Sequence, residues 1–373
     1  MAQPHERRSP ASVLPSFPWD TIAEYKTRAD AHPDGIINLS VGSPVDRVPV
    51  AIRSALANAS DAPGYPQVVG TPELRAAYTN WLARAHGVSV DEANVLPTIG
   101  SKELIASLPT QLGFGPGHTI VIPELAYPTY EVGALLAGAT VLRATGADVL
   151  AGLSAQTVSM VWVNSPSNPT GAVAPPEQLA RLVAWARPRG VIIASDECYL
   201  DLGWDATPAS ILDDDVCGGD HTGLLAVHSL SKRSNLAGYR LGFVSGDPLL
   251  VTQLATLRKH LGLIVPTPIQ AAGVAALTND APVLAQRSRY SARREVLAAA
   301  FERAGFSIEE STAGLYLWCT RGESAAESLQ WLADRGILVA PGTFYGPAGA
   351  NHVRAALTAP DEQIAAVAAR LAH

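Results

Sequence analysis

A lysine stands directly at the end of a buried apolar run in this sequence. The run Leu224 to Ser231 leads into Lys232, inside the string SLSKRSNLAGYRLGF. Burial disfavours the ammonium form of a lysine, and the neutral amine can form an imine with an aldehyde. Arg240 can bind a phosphate with its planar guanidinium, and Ser229 can donate a hydroxyl hydrogen bond to the same group. The alternative is that Lys232 lies on an exposed turn.

A second set of residues could bind a phosphate through the backbone. Gly100, Ser101 and Lys102, in TIGSKELIASL, place a glycine turn at the start of an amphipathic helical pattern. Free backbone amides at a helix start bind phosphate without a net basic protein. An ordinary helix cap explains the same pattern. The motif therefore indicates a phosphate site only in combination with others.

Two more polar residues follow apolar runs. Asp196 closes VIIASDECY, and Tyr199 comes three residues later. A buried carboxylate is costly unless it meets a cation, and a protonated pyridine nitrogen would be such a cation. A helix cap is the alternative for Asp196. Asn168, in the string NSPSNPTG, precedes a proline in a rigid turn and can donate its amide to a phenolate oxygen.

The runs that carry these residues predict a mostly parallel sheet. They are short and continuously apolar, as expected of strands buried on both faces. Between two of them, Glu177 to Arg187 has apolar positions at helical spacing, which is typical of a βαβ unit. Ligands bind beyond the carboxyl ends of such strands. The predicted strands are Thr119 to Pro123, Val158 to Asn164, Val191 to Asp196, Leu224 to Ser229 and Leu241 to Ser245.

The remaining sequence indicates a second, smaller domain. The 373 residues exceed the roughly 250 to 300 at which one hydrophobic core stops growing. We assign residues 46–270 to a large α/β domain, and residues 1–45 with 271–373 to a small α+β domain with an amino-terminal arm. In the small domain we expect helices at Arg293 to Ala304 and Ala325 to Arg335, and strands at Leu315 to Thr320 and Val353 to Leu357.

Composition excludes several classes of protein. The formal net charge of -7 argues against a nucleic-acid or membrane surface, because those partners need concentrated Lys and Arg. The three cysteines, Cys198, Cys217 and Cys319, cannot form a disulfide framework and lack metal-ligand spacing, so we expect reduced thiols and no metal. Met1 to Pro10 has no apolar stretch of a signal peptide, and no segment reaches the ~18 apolar residues of a membrane helix. We expect a cytoplasmic protein.

Taken together, the motifs resemble those of class I/II aminotransferases of fold type I, from about Ile36 to the end. The resemblance rests on NPTG, on the run ending in Asp196 with Tyr199 after it, on SLSK and on the Arg240 that follows. It implies the fold of type I PLP-dependent transferases, pyridoxal 5'-phosphate as cofactor, and an amino-acid donor with a 2-oxo-acid acceptor as substrates. A regulator that kept only this domain would need an appended DNA-binding segment or a damaged site, and the sequence shows neither.

The resemblance also implies a role for each cofactor-binding residue. Lys232 would hold the cofactor as an imine and then move a proton between the substrate α-carbon and the cofactor. Asp196 would pair with the pyridinium nitrogen, which keeps the ring an electron sink. Asn168 and Tyr199 would hydrogen-bond the ring oxygen, and Tyr127, in AYPTY, would stack on the ring face. The phosphate would be held by Gly100, Ser101, Lys102, Ser229 and Arg240.

Further residues are implied for the substrate and for a second subunit. Arg354, in HVRAALT, would bind the substrate α-carboxylate, with Gly42, in SVGSP, and Asn168 beside it. Tyr65, in GYPQVVGTPELR, would reach the phosphate of a neighbouring subunit. The expected assembly is therefore a homodimer with shared active sites.

Other sequence strings narrow the range of expected substrates. SVGSPVDRVP, SLSKRSNLAGYR and LRKHLGLIVPTPIQAA resemble succinyldiaminopimelate aminotransferases of the lysine and cell-wall pathway. This implies N-succinyl-L,L-2,6-diaminopimelate and 2-oxoglutarate as substrates. Arg47, Arg258 and Lys259 are candidates for binding a distal carboxylate, with solvated surface charge as the alternative. An aminotransferase for aspartate, alanine or an aromatic amino acid, a carbon–sulfur β-lyase and a cyclopropane-forming synthase would share the cofactor site and differ in substrate contacts.

Overall fold

A computed structural model describes residues 9–147, residue 152 and residues 158–372. Residues 1–8, which belong to the predicted amino-terminal arm and to the stretch without a signal peptide, lie outside the described residues. No helix within the described ranges has the length and apolar character needed to cross a lipid bilayer.

A mixed sheet forms the centre of the chain. Within the described residues it has seven strands in the order β2-β8-β7-β6-β5-β3-β4, and all pairs are parallel except those made by β8, which runs antiparallel to β2 and β7. The predicted mostly parallel sheet is therefore confirmed. Its strands are β2 (Val95–Thr98), β3 (Thr119–Ile122), β4 (Thr140–Arg143), β5 (Val158–Asn164), β6 (Ile192–Asp196), β7 (Leu224–Ser229) and β8 (Gly242–Gly246).

Helices cover both faces of this sheet. The apolar stripe of Pro176–Ala186 packs four side chains, Leu179, Leu182, Val183 and Ala186, into the core. A Thr71 side chain caps the start of Pro72–His86, and Gly87 ends that helix in the left-handed conformation. The α-helices of this region are Val50–Asn58, Pro72–His86, Gly100–Gln111, Thr129–Ala137, Pro176–Ala186, Asp214–Cys217, Leu230–Arg233, Pro248–Leu261 and Thr267–Leu277.

Two smaller sheets join the chain ends. One has the order β12-β13-β10-β9, and the other pairs β1 (Ile37–Asn38) in parallel with β11 (Ile337–Leu338). The short strands are β9 (Ser307–Glu309), β10 (Tyr316–Thr320), β12 (Ala340–Pro341) and β13 (Val353–Ala356). The α-helices here are Ala23–Asp30, Ala281–Arg303, Ala325–Ala333 and Asp361–Arg370.

Separate hydrophobic clusters lie in these two parts of the chain. Clusters containing Val161 and Met160 lie within the part that carries the large sheet, whereas a third cluster joins Ile37 and Leu39 to the carboxyl-terminal elements. The same cluster includes Tyr199 and Leu202 from the large sheet's side. On this basis we propose the predicted division into residues 46–270 and residues 1–45 with 271–373, with its second boundary moved to the end of the helix Thr267–Leu277, because Ala272, Ala276 and Leu277 belong to the cluster of the large sheet.

Candidate active site

A cavity of about 440 Å³ opens at the carboxyl ends of β5, β6 and β7. This is the edge at which α/β sheets bind ligands. Most of the residues that the sequence singled out line it: Gly42, Ser101, Lys102, Tyr127, Asn168, Asp196, Tyr199, Ser229, Lys232, Arg240 and Arg354. These side chains come from many segments of the chain and meet only in the folded protein.

Lys232 enters the cavity from a single helical turn after β7. Ser229 caps that turn, because its Oγ accepts a hydrogen bond from the Ser231 backbone amide at 3.2 Å. The half-buried Lys232 amine donates to the carbonyl oxygen of Gly42. Gly42 is required here, since a Cβ at this position would overlap the Tyr316 hydroxyl. The Lys232 amine thus faces the segment that follows β1.

The phosphate-binding candidates gather at one end of the cavity. Within the described residues the backbone amides of Ser101 and Lys102 donate no hydrogen bond to protein, because they open the helix Gly100–Gln111. The Arg240 guanidinium lies so close to Gly100 that a Cβ there would overlap it. Desolvation and, to a lesser degree, the positive charge of Arg240 lower the pKa of Lys102. These free amides and the Arg240 guanidinium form a site for a dianion, while the Lys102 amine extends towards the rings of Phe17 and Tyr127.

Asp196 also lines the cavity, at the last position of β6. It is 5% exposed, and burial raises the pKa of its carboxyl although hydrogen bonds from Cys198 and Tyr130 oppose that shift. Tyr130 donates to Oδ2 at 2.7 Å, and the Cys198 backbone amide donates to Oδ1 at 3.2 Å. Among the described residues, no cation forms an ion pair with Asp196. A cationic ring nitrogen would meet this need.

Asn168 and Tyr199 line the same cavity. The Asn168 side-chain oxygen accepts a hydrogen bond from Arg354 at 2.8 Å, which leaves its amide hydrogens free to donate elsewhere. The Tyr199 hydroxyl lies 2.9 Å from that of Tyr316. Burial raises the pKa of Tyr199, whereas Arg354, ahead of Lys232, lowers that of Tyr316 against the effect of its own burial. When Tyr316 donates to the Tyr199 oxygen, the Tyr199 hydroxyl hydrogen is free to donate to a ligand in the cavity.

Arg354 lies on β13 and is 3% exposed. One Nη donates to Asn168, and the other donates to the Ser40 carbonyl at 2.7 Å. Its guanidinium lies 3.8 Å from the ring centre of Tyr316, and its Nε has no hydrogen-bond partner among the described residues. A buried guanidinium with an unused donor in a cavity is suited to a carboxylate.

The structure separates some candidates from the cavity and adds others. Tyr65 is fully exposed and does not line the cavity of its own chain. Arg258 is buried and paired with Glu103 at 2.7 Å, so neither a distal-carboxylate role nor solvated surface charge describes it. Arg47 and Lys259 are exposed and do not line the cavity. The sequence reasoning missed Trp19, Cys198 and Tyr316, which line it, and Tyr130, which binds Asp196.

The residues present fit pyridoxal phosphate. The backbone amides at the start of the helix and the Arg240 guanidinium supply anion donors, with Gly100 leaving room for a close approach. The buried carboxylate of Asp196 supplies the counter-charge for a ring cation. The Lys232 amine lines the same cavity. The described residues hold no cluster of three or more His, Cys, Asp or Glu side chains that could bind a metal ion.

Comparisons with known proteins agree with this fit. The family model for aminotransferase class I and II matches residues 34–371. A probable aminotransferase of Mycobacterium tuberculosis is 59% identical over 97% of this chain and 86% of its own length. A 4-dedimethylamino-4-oxo-anhydrotetracycline transaminase of Streptomyces rimosus is 58% identical over 96% of this chain and 99% of its own length. An LL-diaminopimelate aminotransferase of Dehalococcoides mccartyi is 32% identical over 96% of each chain.

The family match spans nearly the whole chain, and it includes the segments that build the cavity. The mixed sheet with its smaller second part is the type I fold of this family. The chain therefore belongs to the class I and II aminotransferases, which use pyridoxal phosphate to move an amino group from a donor to an oxo-acid acceptor.

Proposed function

We propose that Lys232 is the base of this aminotransferase and that Arg354 binds the α-carboxylate of both substrates. The proposal rests on the observation that Lys232, Asp196 and Arg354 all line one cavity. Pyridoxal phosphate, when bound, supplies an aldehyde that accepts the amino group and a ring that withdraws electrons. The protein's residues then have to bind and orient the substrate and move one proton.

Each residue contributes a defined part of that work. Arg354 fixes the substrate carboxylate, which brings the α-carbon within reach of the Lys232 amine. Lys232 would take the proton from the substrate α-carbon and deliver it to the carbon of the cofactor that carried the aldehyde. Asp196 would keep a positive charge on the ring nitrogen, and Asn168 and Tyr199 would donate to the ring oxygen. Tyr316 holds the Tyr199 hydroxyl at 2.9 Å.

For the substrate pair, we propose N-succinyl-L,L-2,6-diaminopimelate and 2-oxoglutarate. Both substrates carry a further carboxylate besides the α-carboxylate that Arg354 would bind. That further carboxylate calls for a second cation. Lys102 lines the cavity, and no carboxylate lies within ion-pair distance of its amine among the described residues. Its amine lies 5.9 Å from the ring centre of Phe17 and 5.8 Å from that of Tyr127. Lys102 thus replaces Arg47, Arg258 and Lys259 as the candidate for the second carboxylate.

A substrate panel tests this proposal. We expect kcat/KM for the succinylated substrate to exceed that for alanine or leucine by at least about 100-fold, because an apolar substrate leaves the Lys102 charge unmatched. Lys102→Met should reduce this ratio, and the content of bound cofactor measures any loss of phosphate binding separately. If kcat/KM for aspartate, alanine or an aromatic amino acid matched that for the succinylated substrate in the wild-type enzyme, the assignment of N-succinyl-L,L-2,6-diaminopimelate as substrate would be withdrawn.

A second candidate is a ring-bearing oxo compound. The relative from Streptomyces rimosus is named for a transaminase of an oxo-anhydrotetracycline, and it is 58% identical to this chain. A larger cavity of about 870 Å³, walled by aromatic side chains, adjoins the cofactor cavity. An oxo-anhydrotetracycline belongs in the same panel, and efficient amination of that compound would favour the second candidate.

We also propose a homodimer with shared active sites. Tyr65 is fully exposed, and Val41, which lines the cavity, is 44% exposed beside the exposed Val45 and Val50. Exposed apolar side chains next to an active site favour a covering partner. In this arrangement the Tyr65 hydroxyl would bind the phosphate in the partner's cavity.

Mixing two inactive variants tests the shared site. Tyr65→Ala and Lys232→Ala chains should regain up to about one quarter of wild-type activity when they form mixed dimers, since one of the two hybrid sites then holds both wild-type residues. Native mass spectrometry would establish that mixed dimers have formed. An absence of recovery in their presence, or a fully active monomer in sedimentation, would refute sharing.

A further inference from the structure

The cofactor cavity opens into a second cavity of about 870 Å³. Trp19, Lys102 and Tyr127 line both cavities, so the two spaces meet at these side chains. The second cavity lies between residues 14–21, the helix starts at Gly100 and Thr129, and the loop after β12. Its volume is in the range of sites that hold drug-sized molecules.

The walls of the second cavity are mainly apolar. Phe17 and Trp19 lie with ring centres 5.5 Å apart, and Trp19 meets Phe344 edge to face at the same distance. Ala106 and Val132 complete this surface from two helices. Phe17 is 54% exposed, so the outer end of the cavity meets solvent.

The charges on these walls are balanced except at the junction. Arg143 binds Glu131 at 2.7 Å and donates to the Tyr345 carbonyl at 3.1 Å. Among the described lining residues, Lys102 alone is a cation without an ion-pair partner. The junction therefore offers one positive charge, and the space beyond it offers apolar contact.

We propose that the second cavity is the subsite for the acyl arm of an N-acylated diamino dicarboxylate. Lys102 binds the carboxylate beside the amide, and the arm lies against Trp19 and Phe344. This inference rests on the function proposed above and extends it to the recognition of the acyl arm. The terminal carboxylate of a succinyl arm stays in water beyond Phe17. Recognition of the arm is therefore by apolar contact, and an apolar acyl group serves as well as succinyl.

Acyl preference in the wild-type enzyme is the first test. We expect kcat/KM for N-benzoyl-diaminopimelate to lie within about tenfold of that for the N-succinyl compound, since both arms bury apolar area and neither needs a second cation. Diaminopimelate without an acyl group should react less efficiently than either. A loss of activity of about 100-fold or more on replacing succinyl by benzoyl would overturn the proposal, because it would require a cation for the terminal carboxylate.

Ala106→Phe fills the second cavity without touching the first, because Ala106 lines only the second. We expect kcat/KM for both acylated substrates to fall about tenfold or more through overpacking, while the reaction of the unacylated compound stays within about twofold. Calorimetric binding of the N-succinyl compound to Lys232→Ala and to Ala106→Phe/Lys232→Ala chains should show the same loss without turnover. Thr110→Phe, at an exposed position of the same helix, is the matched control.

The possible outcomes separate the two proposals. Absence of amino transfer with every substrate would reject the proposed function. Amino transfer whose acyl selectivity is unchanged in Ala106→Phe would reject the acyl subsite alone. If Ala106→Phe does not fold, Phe17→Ala removes an exposed wall of the second cavity instead. This variant should lower kcat/KM for the N-benzoyl substrate more than kcat/KM for the N-succinyl substrate. Equal losses of kcat/KM for the two substrates would also reject the subsite.

Discussion

Lys232→Ala should abolish nearly all transamination while cofactor still binds. The substitution removes the amine that moves the proton, and general acid–base catalysis contributes about 10² to 10⁴ to the rate. The phosphate donors at Ser101, Lys102 and Arg240 stay in place, so cofactor content should change far less than turnover. Single-turnover kinetics and the absorbance of bound cofactor measure the two effects separately.

Borohydride reduction gives the independent control. In the wild-type protein it should fix one cofactor per chain on Lys232 and not on Lys102, the other lysine that lines the cavity among the described residues. Lys259→Ala, at an exposed lysine outside the cavity, should leave labelling and turnover unchanged. Label on another lysine, or substantial activity in Lys232→Ala, would disprove the assignment.

Asp196→Ala should lower turnover by at least about 100-fold, because it removes the charge that stabilises the ring cation in the transition state. The same change leaves the buried Tyr130 hydroxyl without its acceptor, which costs about 1 to 3 kcal/mol of folding free energy. Turnover should therefore fall much further than stability, and the absorbance of bound cofactor should shift. Kinetics and denaturant unfolding of the same preparation compare the two effects.

The matched control for this prediction is Asp213→Ala. Asp213 caps a helix by accepting from the Asp215 backbone amide at 2.9 Å, and it does not line the cavity. Loss of such a cap costs about 1 kcal/mol of stability. If Asp196→Ala resembled Asp213→Ala, with weaker folding and normal kinetics, the role of Asp196 would be that of a cap.

The sequence was most informative where the chain makes local patterns. Continuous apolar runs predict strands buried on both faces, and polar residues directly after them must lie at one edge of a parallel sheet. Asp196 and Lys232 follow from this rule, and the structure places both at the cavity. Their chemical roles remain predictions.

The residues that were missed depend on contacts between distant segments. Tyr316 lies in the run LYLWCT, where an aromatic residue looks like any other core side chain, yet folding brings its hydroxyl to Tyr199. Trp19 comes from the amino-terminal segment, and no local pattern ties it to a cavity at the large sheet. Tyr130 had a usable signal, because it lies three residues after Tyr127, in the first turn of the helix Thr129–Ala137.

Because β1 pairs with β11, the two parts of the chain can complete their folding at different times during synthesis. Ile37 meets Ile337, three hundred residues later, whereas all strands of the large sheet come from residues 95–246. During synthesis the large sheet can assemble while the amino-terminal segment still lacks its partner. Ser40 and Gly42, whose carbonyls accept hydrogen bonds from Arg354 and Lys232, therefore reach their places only after β11 and β13 have been synthesised. Synthesis of these late strands, rather than formation of the large sheet, then sets the earliest moment at which Lys232 is held as in the folded protein.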